Sequence, residues 1–194
     1  MAEKEKSLTS ELAAVAREAL ADIPADVFGL FGGDWLHQKR KLNLLELEKR
    51  FERLAKEKGL KPDPIAASPS IVLAIIAAAQ DEDREALQEL WARLLAAATD
   101  PRRAHSVRKS FIEIVKQFDP FDALVLDALG SIGTVPNAGV AIAQKLNRAG
   151  DEVIVSFINL ERLGLVACAP HAASIDIGQV HIRVAGKELL RAVK

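Results

Sequence analysis

The chain is expected to be mainly α-helical, with one short β-hairpin near its C-terminus. Alanine- and leucine-rich segments recur at helical spacing between Gly, Pro and Asp punctuation. A 49% hydrophobic composition over 194 residues is enough to build a core. ASIDIGQVHIRV, residues 173–184, alternates as strands do and reads as a hairpin around Gly178.

A first helix is expected over 8–21, stopped near Pro24, with VFGLFGGD as the loop after it. Residues 34–58 carry the longest helical pattern. Leu44, Leu47, Phe51 and Leu54 step by three, four and three along one face, and Gly59 stands where a C-cap belongs. The three prolines of KPDPIAASPS prevent continuous helix and mark a connector. IVLAIIAAA, residues 71–79, then reads as a helix buried on all sides. Residues 81–98 read as an amphipathic helix striped by Leu87, Trp91, Leu94 and Ala98, its opening acids suited to the helix dipole. Trp91 in that stripe is a core residue. In SFIE, Ser110 and Glu113 have the spacing of a capping box. DPFD restarts a helix with Asp119 as N-cap and Pro120 at N1.

The module boundary is placed at that restart, giving a helical bundle over 1–118 and a second module over 119–194. Three short helices (121–129, 136–147 and 152–163), the hairpin and a closing helix, GKELLRAV, follow one another in the second module. This is the order of a winged-helix-like module with a short β-hairpin. The phrase LERLGLV supports it, because Gly164 ends the third helix and Leu165 and Val166 lead into the wing.

Composition excludes several functions. With 26 basic and 27 acidic residues, no overall charge draws the chain to nucleic acid or anionic lipid. Cys168 is the only cysteine, so there is no internal disulfide and no zinc spacing, which fits a reducing compartment. The charged start, MAEKEKSLTSEL, is unlike a signal peptide. The longest apolar run is nine residues, short of the ~20 of a membrane-spanning helix. A cytoplasmic address without a transmembrane segment is expected. The four histidines, His37, His105, His171 and His181, lie on separate elements without metal-ligand spacing, and neither GxSxG nor a phosphate-loop glycine pattern is present. No catalytic, cofactor or metal residues are assigned, and the chain is expected not to be an enzyme.

From GDWLHQKRKLNLLELEKRFERLAKEKGLKPDPIAASPSIVLAIIAAAQDEDREALQELWARLLAAATDP through KSFIEIVKQFDPFDALVLDAL, the chain resembles the Abi-alpha (abortive infection alpha) family. LQELWARLLAAATDP and SFIEIVKQFDPFDA are the most specific phrases. The resemblance covers roughly residues 33–129 and implies bacterial origin and a role in abortive phage defence, with no catalytic residues to carry over.

A winged helix packs one face of its third helix inward and offers the other to the major groove. Val153, Phe157 and Leu160 make the inward face. Ile154, Val155, Ile158, Asn159 and Arg162 then point outward, and three of these five are aliphatic, whereas base reading needs polar or basic side chains. Residues 119–194 hold seven basic and eight acidic side chains, so the module is not basic as DNA-binding modules usually are. The five outward residues are therefore expected to contact protein: the helical bundle of the same chain, a second copy of the chain or a separate partner. Nucleic acid stays open elsewhere. Arg102, Arg103, Arg108 and Lys109 form a loop cluster before a helix, and Arg183 sits on the wing; a solvated loop and a solvated wing are the favoured readings over an anion contact. The basic run over 35–61 is read as a solvated helix face dressed with pairs such as Glu46 with Arg50. The chain is expected to be a non-enzymatic protein-interaction component of a phage-defence system, with a winged-helix DNA-binding regulator as the alternative.

Overall fold

A computed structural model describes residues 33–61, 68–133, 137–170 and 177–194. The expected helix over 8–21 and His171 lie outside the described residues. So do most of the loop before residue 33 and the middle of the proline connector. The chain is mainly helical with a small antiparallel hairpin. It divides into two compact units between Ile112 and Glu113, inside a seven-residue helix, whereas the Asp119–Pro120 restart opens the helix after it.

In the first unit, α1 (Gly33–Glu57) buries Leu47, Phe51 and Leu54. It ends at Gly59, whose φ of 58° is left-handed. There the N–H of Leu60 donates to Ala55 O at 2.8 Å and that of Gly59 to Lys56 O at 3.3 Å, the paired bonds of a Schellman cap. α2 (Pro69–Ala79) is not buried on all sides: Val72, Ile75, Ile76 and Ala79 face inward, while Leu73 is 42% exposed. The central element is instead α3 (Glu85–Thr99), which is in contact with both α1 and α2. Leu87, Trp91, Leu94 and Ala98 are buried on it as expected, and Ala92, Ala96 and Ala97 are buried too. Alanine makes this possible, because its small side chain lets neighbouring helices close in from several directions. A 3-10 turn (Ala104–Ser106) follows.

The expected capping box at Ser110 does not form. α4 (Lys109–Val115) begins one residue before Ser110, and Glu113 takes the Lys116 ammonium at 2.9 Å. The box belongs to α5 (Pro120–Ile132), where the N–H of Asp119 donates to Asp122 Oδ2 at 2.8 Å. Proline at N1 leaves no N–H there to satisfy.

Two helices follow α5 in the second unit, α6 (Ala138–Leu146) and α7 (Gly150–Arg162). Gly150 opens α7. The left-handed residue after α6 is Asn147, and after α7 it is Gly164 with φ 74°. Leu165 N–H closes back on Leu160 O at 2.9 Å, turning the chain into β1 (Val166–Pro170). β1 pairs antiparallel with β2 (Ile177–Ile182), Val166 opposite Ile182 and Cys168 opposite Val180. Gly178 is therefore in the second strand and not in the turn. VACAP hides its strand character because small residues and a proline mask the alternation. α8 (Val184–Val193) closes the unit, burying Leu189, Leu190, Ala192 and Val193.

Candidate functional site

α7 is amphipathic in the expected sense, with Val153, Phe157 and Leu160 fully buried. Its other face carries two aliphatic side chains in the open, Val155 at 66% and Ile158 at 60% exposure. Ile154 is half-buried and lines a groove of about 450 Å³ together with Gly139, Val140 and Ala143 of α6 and Gln144, Asn147 and Arg148 at its end. Val140 is itself 49% exposed. The apolar face thus continues from α7 across the groove onto α6. The Arg148 guanidinium lies 5.9 Å from the Phe121 ring centroid and 3.8 Å from Glu152.

The two polar residues on the outward face are engaged within the unit. Asn159 Nδ2 donates to Asp122 Oδ2 at 2.6 Å and to Gln117 O at 3.3 Å. Its Oδ1 accepts from Arg162 Nη2 at 2.8 Å and Nε at 3.2 Å, and Arg162 Nη1 reaches Gln117 Oε1 at 3.2 Å. Asp122 is 2% exposed and also holds the α5 cap. A buried carboxylate that accepts two hydrogen bonds fixes its donors in place. Asn159 and Arg162 are thereby tied to neighbours within the unit, leaving Val155 and Ile158 as the exposed groups in the middle of the face.

The basic candidates do not form one site. Arg102 folds back on buried Asp100, its Nε 3.2 Å from Oδ1. Burial raises the Asp100 carboxyl, but the hydrogen bonds from Arg102 outweigh it and hold the group below the usual carboxylate range. Arg103 is one of the charges, after burial itself, that push the Lys58 ammonium below its ordinary value. Arg108 and Lys109 are exposed at the start of α4. Arg183 belongs to the second unit, where its backbone N–H donates to Leu165 O at 2.9 Å and its side chain is exposed.

The basic run on α1 is more than a solvated face. Arg40 Nη2 meets Asp81 Oδ2 at 3.2 Å and Lys39 meets Asp83 at 3.0 Å. Arg50 keeps its expected partner Glu46 at 3.0 Å and also reaches Glu89 at 3.4 Å; Arg53 meets Glu89 at 2.6 Å. The acids at and before the start of α3 thus pair with α1. Burial pushes the Glu89 carboxyl up, but Arg53 and Arg93 together hold it below its ordinary value.

Cys168 is not poised as a nucleophile. Burial, then the Glu161 carboxylate, push its thiol up to about 11, so little thiolate exists at neutral pH. Among the described residues no three His, Cys, Asp or Glu side chains are grouped to hold a metal ion, and no described helix is long and apolar enough to cross a membrane.

Sequence reasoning missed one feature, the basic edge of α8. Arg183, Lys187, Arg191 and Lys194 are spaced by four, four and three, which places them on one helix face. The signal was the spacing. It was lost in a charge count taken over the whole module.

Comparison with known families gives one match: the family model described as abortive infection alpha covers residues 39–182. No curated protein and no solved structure matches the chain.

Proposed function

The chain belongs to the abortive infection alpha family, and on that premise we propose that it acts as a non-enzymatic protein-interaction component of a bacterial response that aborts phage infection. The contact surface is the outward face of α7, in a second unit read as a winged-helix-like module. One observation carries this reading: Val155 and Ile158 project at 66% and 60% exposure from the middle of the face where a DNA-reading helix would carry polar side chains. Each would gain about 1.5–3 kcal/mol from full burial, relative to exposure. The half-buried Ile154 and neighbouring Val140 extend the patch beyond scattered single residues. The network through Asp122 and Gln117 already holds Asn159 and Arg162, the two side chains of this face able to hydrogen-bond a base edge.

A phage challenge tests the proposal in bacteria whose protection depends on this chain. Val155→Lys with Ile158→Lys places two charges on exposed positions, so the protein is expected to stay folded while plaque counts rise to those of cells without it. Arg162→Ala is expected to keep protection. Full protection by the double variant, or loss with Arg162→Ala alone, contradicts the assignment.

A further inference from the structure

The exposed face of α7 has a counterpart on the same unit. Along α7, Asp151, Glu152, Val155 and Ile158 are exposed, so the face is acidic at its start and apolar in its middle. A separate groove of about 470 Å³ runs beside α8. Gly130 and Gly133 contribute to one side, Ile182 and Leu190 supply apolar groups, and Lys187, Arg191 and Lys194 supply the charge. Arg191 is paired with Glu188 at 2.7 Å, and Lys194 Nζ lies 3.5 Å from Gly130 O. Val184, 76% exposed, and Arg183 stand at the start of α8. Basic and apolar groups therefore meet here, opposite in sign to Asp151 and Glu152 at the start of α7, where Arg148 shares Glu152.

We propose that α7 of one copy docks in the α8 groove of the next, so that the chain self-associates head to tail. Dimensions and charge both favour this occupant. Asp151 to Ile158 and Lys187 to Lys194 each span eight residues, seven steps or about 10.5 Å of helix, so the two stripes match in length. In an antiparallel seating Asp151 and Glu152 meet Arg191 and Lys194 while Val155 and Ile158 reach toward Leu190 and Ile182. A self-complementary pairing of α7 with α7 would instead bring Asp151 and Glu152 near their own copies in the parallel case. The donor and acceptor surfaces differ, so each copy keeps one of each unfilled; such contacts extend into chains or close into rings. A nucleic-acid strand is the weaker fit for the groove, which offers no aromatic side chain for a base to stack on.

This proposal rests on the reading of α7 as a protein contact and adds the identity of the partner surface. Sedimentation of the full chain separates the two. At about 100 µM and low salt, the wild type is expected to show mass rising with concentration, and to lose it near 1 M salt, where screening shortens to about 3 Å. Val155→Lys with Ile158→Lys blocks the donor, and Lys187→Glu with Arg191→Glu blocks the acceptor; each is expected to be monomeric with an unchanged circular dichroism spectrum. Lys187→Ala with Arg191→Ala serves as a milder acceptor block if the charge reversal unfolds the protein. Mixed in equal amounts, the donor-blocked and acceptor-blocked proteins retain one intact groove and one intact α7 between them and are expected to form a 1:1 dimer and nothing larger. A wild type that stays monomeric overturns the proposal and leaves the α7 face to another protein. If the acceptor variants associate like the wild type while the donor variant does not, α7 remains a contact and the groove is not its partner. A mixture that stays monomeric also overturns head-to-tail docking.

Discussion

Trp91→Ala is expected to destabilise the first unit by about 3–5 kcal/mol, the usual cost of truncating a large buried aromatic. Trp91 is 2% exposed on the central helix α3, flanked on its stripe by Leu87 and Leu94 at 1% and 0%. Removing the indole deletes apolar burial and leaves a cavity that the surrounding helices fill only in part, because rigid elements cannot collapse independently. The small side chains of Ala92, Ala96 and Ala97 have already brought backbones close around α3, leaving little slack for repacking. Urea unfolding followed by far-ultraviolet circular dichroism measures the loss in the transition of this unit. Trp35, the other tryptophan, is 67% exposed, so Trp35→Ala is the matched control and is expected to shift the midpoint little. A Trp91→Ala loss below about 1 kcal/mol, typical of surface positions, would contradict the central place given to α3.

Gly186→Ala is expected to destabilise the second unit, against the ordinary sign of this substitution in a helix, where alanine gains up to about 1 kcal/mol over glycine. A Cβ at Gly186 would collide with Leu165 O and stand 3.2 Å from Leu165 C and 2.8 Å from Ile182 Cγ2. Leu165 O already accepts the Arg183 N–H at 2.9 Å, so the carbonyl cannot retreat without loosening the junction of β2 and α8. Overpacking of this kind costs about 1–3 kcal/mol. Gly130→Ala provides the contrast: its added Cβ meets the Leu190 Cδ1 at 2.8 Å, the end of a flexible side chain that can rotate aside. The expected order of denaturation midpoints is wild type above Gly186→Ala, with Gly130→Ala closer to wild type. A stabilised Gly186→Ala would show that α8 does not pack this closely on Leu165.

Local rules made much of the fold legible. The stripe from Leu47 to Leu54 and the caps at Gly59 and Gly164 follow from residue spacing and the freedom of glycine at positive φ. The restart at Asp119–Pro120 is equally local. Elsewhere the deciding information was not local. IVLAIIAAA carries no polar residue to mark an outer face, so its partial exposure depends on where α3 lies. Ser110 fits a capping box by spacing, yet the helix begins at Lys109, and a box requires the serine to precede the first turn. The basic run on α1 and the acids near the start of α3 were each readable as a solvated face or a dipole effect. Their pairing, as in Lys39 with Asp83 and Arg53 with Glu89, is a tertiary fact joining residues more than thirty positions apart. The same holds for the candidate site. The aliphatic identity of Ile154, Val155 and Ile158 was legible, but the fixing of Asn159 by Asp122 came from a residue thirty-seven positions upstream.

The most direct measurement places a photo-crosslinking amino acid at position 158, where the native Ile158 is 60% exposed and a replacement need not disturb the core. Irradiated in bacteria during phage challenge, the protein is predicted to give a discrete adduct that protease removes and nuclease leaves intact, as expected if this face of α7 touches protein. An adduct that nuclease removes, or no adduct at 158 under conditions where the chain protects the cell, would contradict the assignment of α7 as a protein contact.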